Sequence, residues 1–308
     1  MTIVVKSDVV MDECVFLMNA SGRSTRQNDR SVNQGGYGTV NVVRDVTLSQ
    51  YIFGAKPMSV EAWREVEGVY EDTDAGAYGF LIKDPSRHSV TVTDGALQGY
   101  MAGVQFGTTG FGNGTPLYIL GQLTKPQSTS RTRFRVRTRP NGTPSVFRGG
   151  SPVTVGVAAG NISFSSGPVY VTFVPDATRT IDSVTVGATT QVNLSSAITG
   201  LVIGGRLWLQ GLTGADAALL NNLSHQITNI ASDVYTLATN TAGKTITVGA
   251  GAAHKYPQPD ESLRWAGQFY VPVHFATDDL DWDVVLGGDV DDRLIAGPSV
   301  TLMEVREA

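Results

Sequence analysis

Apolar and polar residues alternate in short bursts along much of this chain, at 38–53, 88–95, 130–140, 151–157, 161–164 and 169–175. Each burst is bounded by Gly, Pro, Asn or Asp, so the pattern predicts strands joined by turns. One stretch breaks the two-residue period. Residues 59–73, SVEAWREVEGVYEDT, place Trp63, Val66, Val69 and Tyr70 on one helical stripe, with Ser59 as N-cap and Glu61 in the first turn. Residues 213–223, TGADAALLNNL, predict a second, shorter helix. Between 183 and 253 about five short strands crowd together, enough for a small closed barrel or sandwich. Residues 252–262, with their prolines, read as the returning linker, and 263–286 as a long, aromatic-rich strand pair. The expected fold is therefore mainly β: a β-sandwich with one supporting helix, plus an inserted small β-barrel-like module. The expected domains are a main domain, 1–182 with 254–308, and the inserted module, 183–253.

Composition narrows this picture. The 308 residues carry 35 glycines, only 17% charged residues and one cysteine, Cys14. A single cysteine excludes an internal disulfide and a cysteine-based zinc site. The N-terminal twenty residues are interrupted by Lys6, Asp8, Asp12 and Glu13, and no segment has the length of a membrane span. A soluble protein made and used without export is expected. The net charge of −5 argues against a dedicated nucleic-acid binder.

Catalytic signatures are missing. There is no G-x-S-x-G, H-E-x-x-H or P-loop, and the glycine run at 107–116 meets Pro116 where a helix would open. His88, His225, His254 and His274 are scattered, with no pair at ligand spacing. No enzyme activity, metal or cofactor is expected.

Two charge patterns remain. Residues 131–139, RTRFRVRTR, put Arg131, Arg133, Arg135, Arg137 and Arg139 on one strand face, with Phe134 and Val136 on the other. Residues 276–292 hold seven aspartates, of which Asp279, Asp281 and Asp283 alternate. A calcium loop fails there, since Val284 and Val290 stand where Gly and Glu are needed. The arginine face has three readings: a protein–protein contact, a plain solvated face, or passing nucleic acid. Arginine bonds carboxylates bidentately, and a nucleic-acid reader would add stacking aromatics on the same face, so the contact is favoured. In the small module Trp208 and Tyr235 are candidates for stacking on sugar, against the blander reading of core aromatics.

Four segments together resemble the distal tail proteins of long-tailed phages and gene transfer agents. They are NASGRSTRQNDRSVNQGGYGTVNV (19–42), the helix, turn and strand SVEAWREVEGVYEDTDAGAYGFLIKDP (59–85), RFRVRTRPNGTPSVFRGG (133–150), and GQFYVPVHFATDDLDWDV with the ending VTLMEVRE (267–307). The resemblance covers most of the chain outside 183–253 and departs at DPSRHSV, where relatives more often carry an aromatic after the Asp. It implies a structural virion protein at the tail tip, assembled as a homo-hexameric ring around the DNA channel. Such a ring joins the tail tube protein to the hub and fibre proteins, touches DNA only in passing, and involves no membrane. The resemblance transfers no catalytic residues. A ring needs two different, complementary patches on each subunit, and the Arg131–Arg139 and Asp278–Asp292 segments would pair naturally, with the arginines facing the channel or the tube subunit above as an equally open alternative. The alternative is a carbohydrate-binding module that aids adsorption to a host surface.

Overall fold

The computed structural model describes residues 3–16, 20–26, 28–32, 38–42, 47–101, 109–124, 132–289, 292–297 and 299–307. The fold is mainly β, with one α-helix among the described residues and a closed six-stranded barrel. The chain divides into two compact units, 1–89 with 268–308, and 90–267.

In the first unit one sheet runs in the order Val5–Met11, Gly79–Ile82, Leu263–Phe275, Val300–Glu304, Leu48–Phe53, Ser21–Thr25. Leu48–Phe53 shows why alternation was legible: every second residue is buried, including Tyr51 and Phe53. The helix Val60–Asp72 buries Val60, Ala62, Trp63, Val66 and Val69. Ser59 caps it, its Oγ accepting a hydrogen bond from the Ala62 amide at 3.3 Å. The helix ends where Asp74, Ala75 and Gly76 turn left-handed. Gly76 is required there, because a Cβ would lie 2.8 Å from the Phe275 carbonyl oxygen. A separate three-stranded sheet, Asp283–Leu286, Leu294–Ala296 and Met58–Ser59, leaves Asp283–Leu286 at its edge. The segment 263–286 is thus not a strand pair. Leu263–Phe275 is one strand of 13 residues, and Asp283–Leu286 pairs instead with Leu294–Ala296.

The second unit holds a five-stranded sheet built around Leu117–Thr124, flanked by Gly95–Gly99, Arg133–Val136 and Tyr170–Phe173, with Ile162–Phe164 beyond. The barrel follows, closed in the order Ala177–Thr185, Thr190–Leu194, Val234–Leu237, Leu223–Ala231, Arg206–Gln210, Ala252–Lys255. Its interior is filled by Ile181, Val192, Leu194, Leu207, Leu209, Ile227, Tyr235, Leu237 and Ala253. The barrel's first strand begins six residues before position 183, and its last strand takes up the start of the expected linker.

Other expectations change. Residues 213–223 form only a short 3-10 turn, Ala217–Leu219. Thr213 is held instead by a two-way backbone bridge to Thr247, and Gly214 adopts φ 109° against the Thr245 carbonyl, so the first turn of a helix cannot form. Only Ser151–Pro152 of 151–157 is a strand.

Candidate assembly surfaces

Arg131 lies outside the described residues. From Arg133 to Val136 the chain pairs antiparallel with Leu117–Thr124, with Arg135 opposite Gln122 and Val136 opposite Gly121. The Phe134 ring lies over Gly121, where a Cβ would come within 2.1 Å of it. Removing a side chain at 121 is what lets the aromatic close down on the sheet. The Gly121 carbonyl in turn accepts a hydrogen bond from the Trp265 indole at 2.8 Å.

The five arginines do not share one exposed face. Arg133 is exposed and Arg135 half-buried, but Arg137 and Arg139 are buried. The regular strand stops at Val136; Arg137 is buried in the two-residue link that follows, and Arg139 at the start of a second strand, Arg139–Arg148. Arg137 donates to the Gln122 amide oxygen at 2.9 Å, and Gln122 donates to Asp94 at 3.0 Å. Thr91 donates to the same carboxylate from its amide and its hydroxyl. Burial pushes the Asp94 carboxyl up, but these hydrogen bonds outweigh it and hold the group below its ordinary value. The Arg139 guanidinium sits against Gly167, where a Cβ would lie 2.0 Å from its nitrogen. Two of the candidate contact arginines are therefore internal: Gln122 accepts a bond from Arg137, and the glycine at 167 leaves room for Arg139. Neither partner is near in sequence, and no local pattern marks them.

The three aspartates are all exposed, but they do not alternate along one strand. Asp279 and Asp281 precede the strand, and Asp283 is its first residue. Gly297 accommodates this approach, since a Cβ there would lie 2.4 Å from the Asp281 carbonyl oxygen. Trp282, Val284, Val285 and Leu286 stand beside the acids at 52%, 47%, 55% and 54% exposure. Among the described residues, no three His, Cys, Asp or Glu side chains come together as a metal site would need.

The two aromatic candidates in the barrel offer no face to a sugar. Tyr235 is in the barrel core, its hydroxyl accepting a hydrogen bond from the Ile198 amide at 2.8 Å. Trp208 points outward from the barrel but is covered, packing edge-on against Tyr256 at 6.1 Å between centroids. His254 lies beside it in register, bonded to the Thr178 hydroxyl at 2.8 Å, and burial pushes its pKa down. His225 is also structural. It bonds Thr239 and the Leu220 carbonyl, and burial holds it below its ordinary value despite the Leu220 bond.

One ionic arrangement was invisible in the sequence. Arg148 makes two 2.6 Å hydrogen bonds to Asp176 and two more to Glu261, residues 28 and 113 positions away. Burial disfavours its charge, but the two carboxylates more than offset this and raise its pKa. Asp176 stands directly before the first barrel strand, and Glu261 follows the last one. One guanidinium therefore clasps the two legs of the barrel, beside an open cavity of about 460 Å³ whose lining includes Arg148, Asn161 and Glu261.

No family model matches the chain. No curated protein matches it either.

Proposed function

We propose that this chain is a structural component of a phage tail tip, a distal ring that joins the tail tube to the hub and fibres and works by self-assembly. Its place would be the virion, its partners further copies of itself and the neighbouring tail proteins, with DNA passing through the channel. The reading is supported chiefly by where the segments of the resemblance fall. Residues 59–85 make the capped helix, its left-handed stop and the fully buried strand Gly79–Ile82. GQFYVPVHF lies in the 13-residue strand Leu263–Phe275. An exposed strand edge bearing acids and apolar residues is what a scaffold offers a neighbour. The sugar-binding alternative loses its two aromatic residues to burial and is not carried forward.

Size exclusion with light scattering, followed by negative-stain imaging, tests the proposal. Closed rings of six times the 32.7 kDa chain mass are expected, alone or on purified tail tubes. A monomer that neither closes into rings nor caps tubes would overturn it.

A further inference from the structure

We infer that the edge strand Asp283–Leu286 is one half of a head-to-tail contact between copies of this chain, and that the Arg133–Val136 strand of the next copy is the other half. The inference rests on the ring reading above and names the surfaces that would join its subunits.

The edge strand is unusual in what it exposes. Trp282, Val284, Val285 and Leu286 are all about half exposed, although they follow one another almost without interruption. Apolar side chains grouped in this way mark an interaction surface, whereas single exposed ones do not. Their own sheet leaves them exposed, and among the described residues the strand has a neighbour on one side only. The pairing slips between Val284 and Leu286, so the ladder is irregular at this edge. Such a bulge discourages the addition of another strand. The side chains, not an extended sheet, would make the contact.

Charge selects the occupant. Asp279, Asp281 and Asp283 are exposed and stand beside the apolar group in sequence. Those carboxylates repel phosphate backbones and anionic lipid, which leaves a partner surface with cations set among apolar atoms. The chain carries such a surface on Arg133–Val136. Arg133 is exposed and Arg135 half-buried on one face of the strand, each charged head carried on an apolar stem, while Phe134 and Val136 take the other face. Arg137 and Arg139 are turned into the fold, so the outward charge is concentrated at the start of the strand. Arginine keeps its charge at an interface and meets carboxylates with two parallel bonds, and tryptophan with arginine is the usual composition of a contact centre. The two surfaces differ, so one copy cannot satisfy another by a two-fold exchange. Each contact leaves one surface open at either end, until a ring closes.

The test uses the full chain and four variants: Leu286→Asp, Asp281→Arg with Asp283→Arg, Arg133→Asp with Arg135→Asp, and the two reversals combined. Light scattering and sedimentation across a concentration series give the association constant, with circular dichroism confirming the fold. Leu286→Asp and each single reversal should weaken association about tenfold or more, and the combined reversal should recover most of it. Closed rings that persist unchanged in all variants would overturn the inference and leave the ring reading standing. A wild-type chain that stays monomeric at high concentration would also overturn it, while tube capping would still decide the ring reading. Two-fold dimers sensitive to Leu286→Asp but not to the arginine reversal would overturn both the pairing and the ring.

Discussion

At the level of single residues, the fold rests on charges whose partners lie far away in the chain. Arg148 is the clearest case. Arg148→Ala leaves Asp176 and Glu261 as facing, partly buried carboxylates. Since the group is about a fifth exposed, the expected loss is about 2–4 kcal/mol, measured by urea unfolding at pH 7. Asp94 gives a pH dependence. Its folded pKa is depressed, so its contribution is present above the unfolded value of about 3.9 and is lost as pH falls through the folded one. Asp94→Asn should flatten the acid limb of the stability curve below about pH 4. His225 and His254 are depressed in the folded state too. Their contribution is complete above the unfolded value of about 6.5, so a first decline should begin on acidification below that pH and vanish in a His225→Gln, His254→Gln variant. If the two declines do not separate in pH-resolved melts, these assignments fail.

Among the elements, legibility followed how local the determinants were. The helix was readable because cap, stripe and stop lie within eighteen residues, and Ser59→Ala should cost about 1 kcal/mol in thermal or chemical unfolding. Leu48–Phe53 was readable because one face is buried and the other is not. The pattern failed where tertiary contacts took over. In 131–139 the alternation of residue types is intact, yet Arg137 turns inward to bond buried Gln122 and Arg139 fills the space left by Gly167. In 213–223 a backbone bridge to Thr247 overrode helix propensity. Among the aspartates, alternation in sequence did not mean alternation on a strand, because the strand starts only at Asp283. Trp208 and Tyr235 show the same limit, since an aromatic in a small barrel has the same sequence signature whether it faces a ligand or the packing.

For the molecule as a whole, the barrel is more than an ornament on its unit. Trp208, His254 and Tyr256 lie outside its core cluster and are nonetheless covered. The loop at 112–114 presses onto it: Gly114 donates to the Pro257 carbonyl, and a Cβ on Gly114 would lie 2.5 Å from the Arg206 Cβ. Gly114→Val should therefore loosen the seating of the barrel without touching its interior. Amide exchange should quicken at Arg206 and Gln258 and stay slow at Val192, Leu194 and Leu237. Uniformly faster exchange would show that seating and core are one cooperative unit.

The division of the chain also sets an order in time. The first unit is assembled from 1–89 and 268–308, so its sheet lacks Leu263–Phe275 and Val300–Glu304 until those segments are made. At bacterial and eukaryotic synthesis rates the intervening unit takes roughly ten to forty seconds to emerge. During that interval Gly79–Ile82, buried at every position in the finished fold, can meet Val5–Met11 but lacks its other neighbour, Leu263–Phe275. The second unit can finish first. The unit that starts with 1–89 must wait for 268–308, and that wait is the period in which this protein most needs shelter from its own unpaired edges.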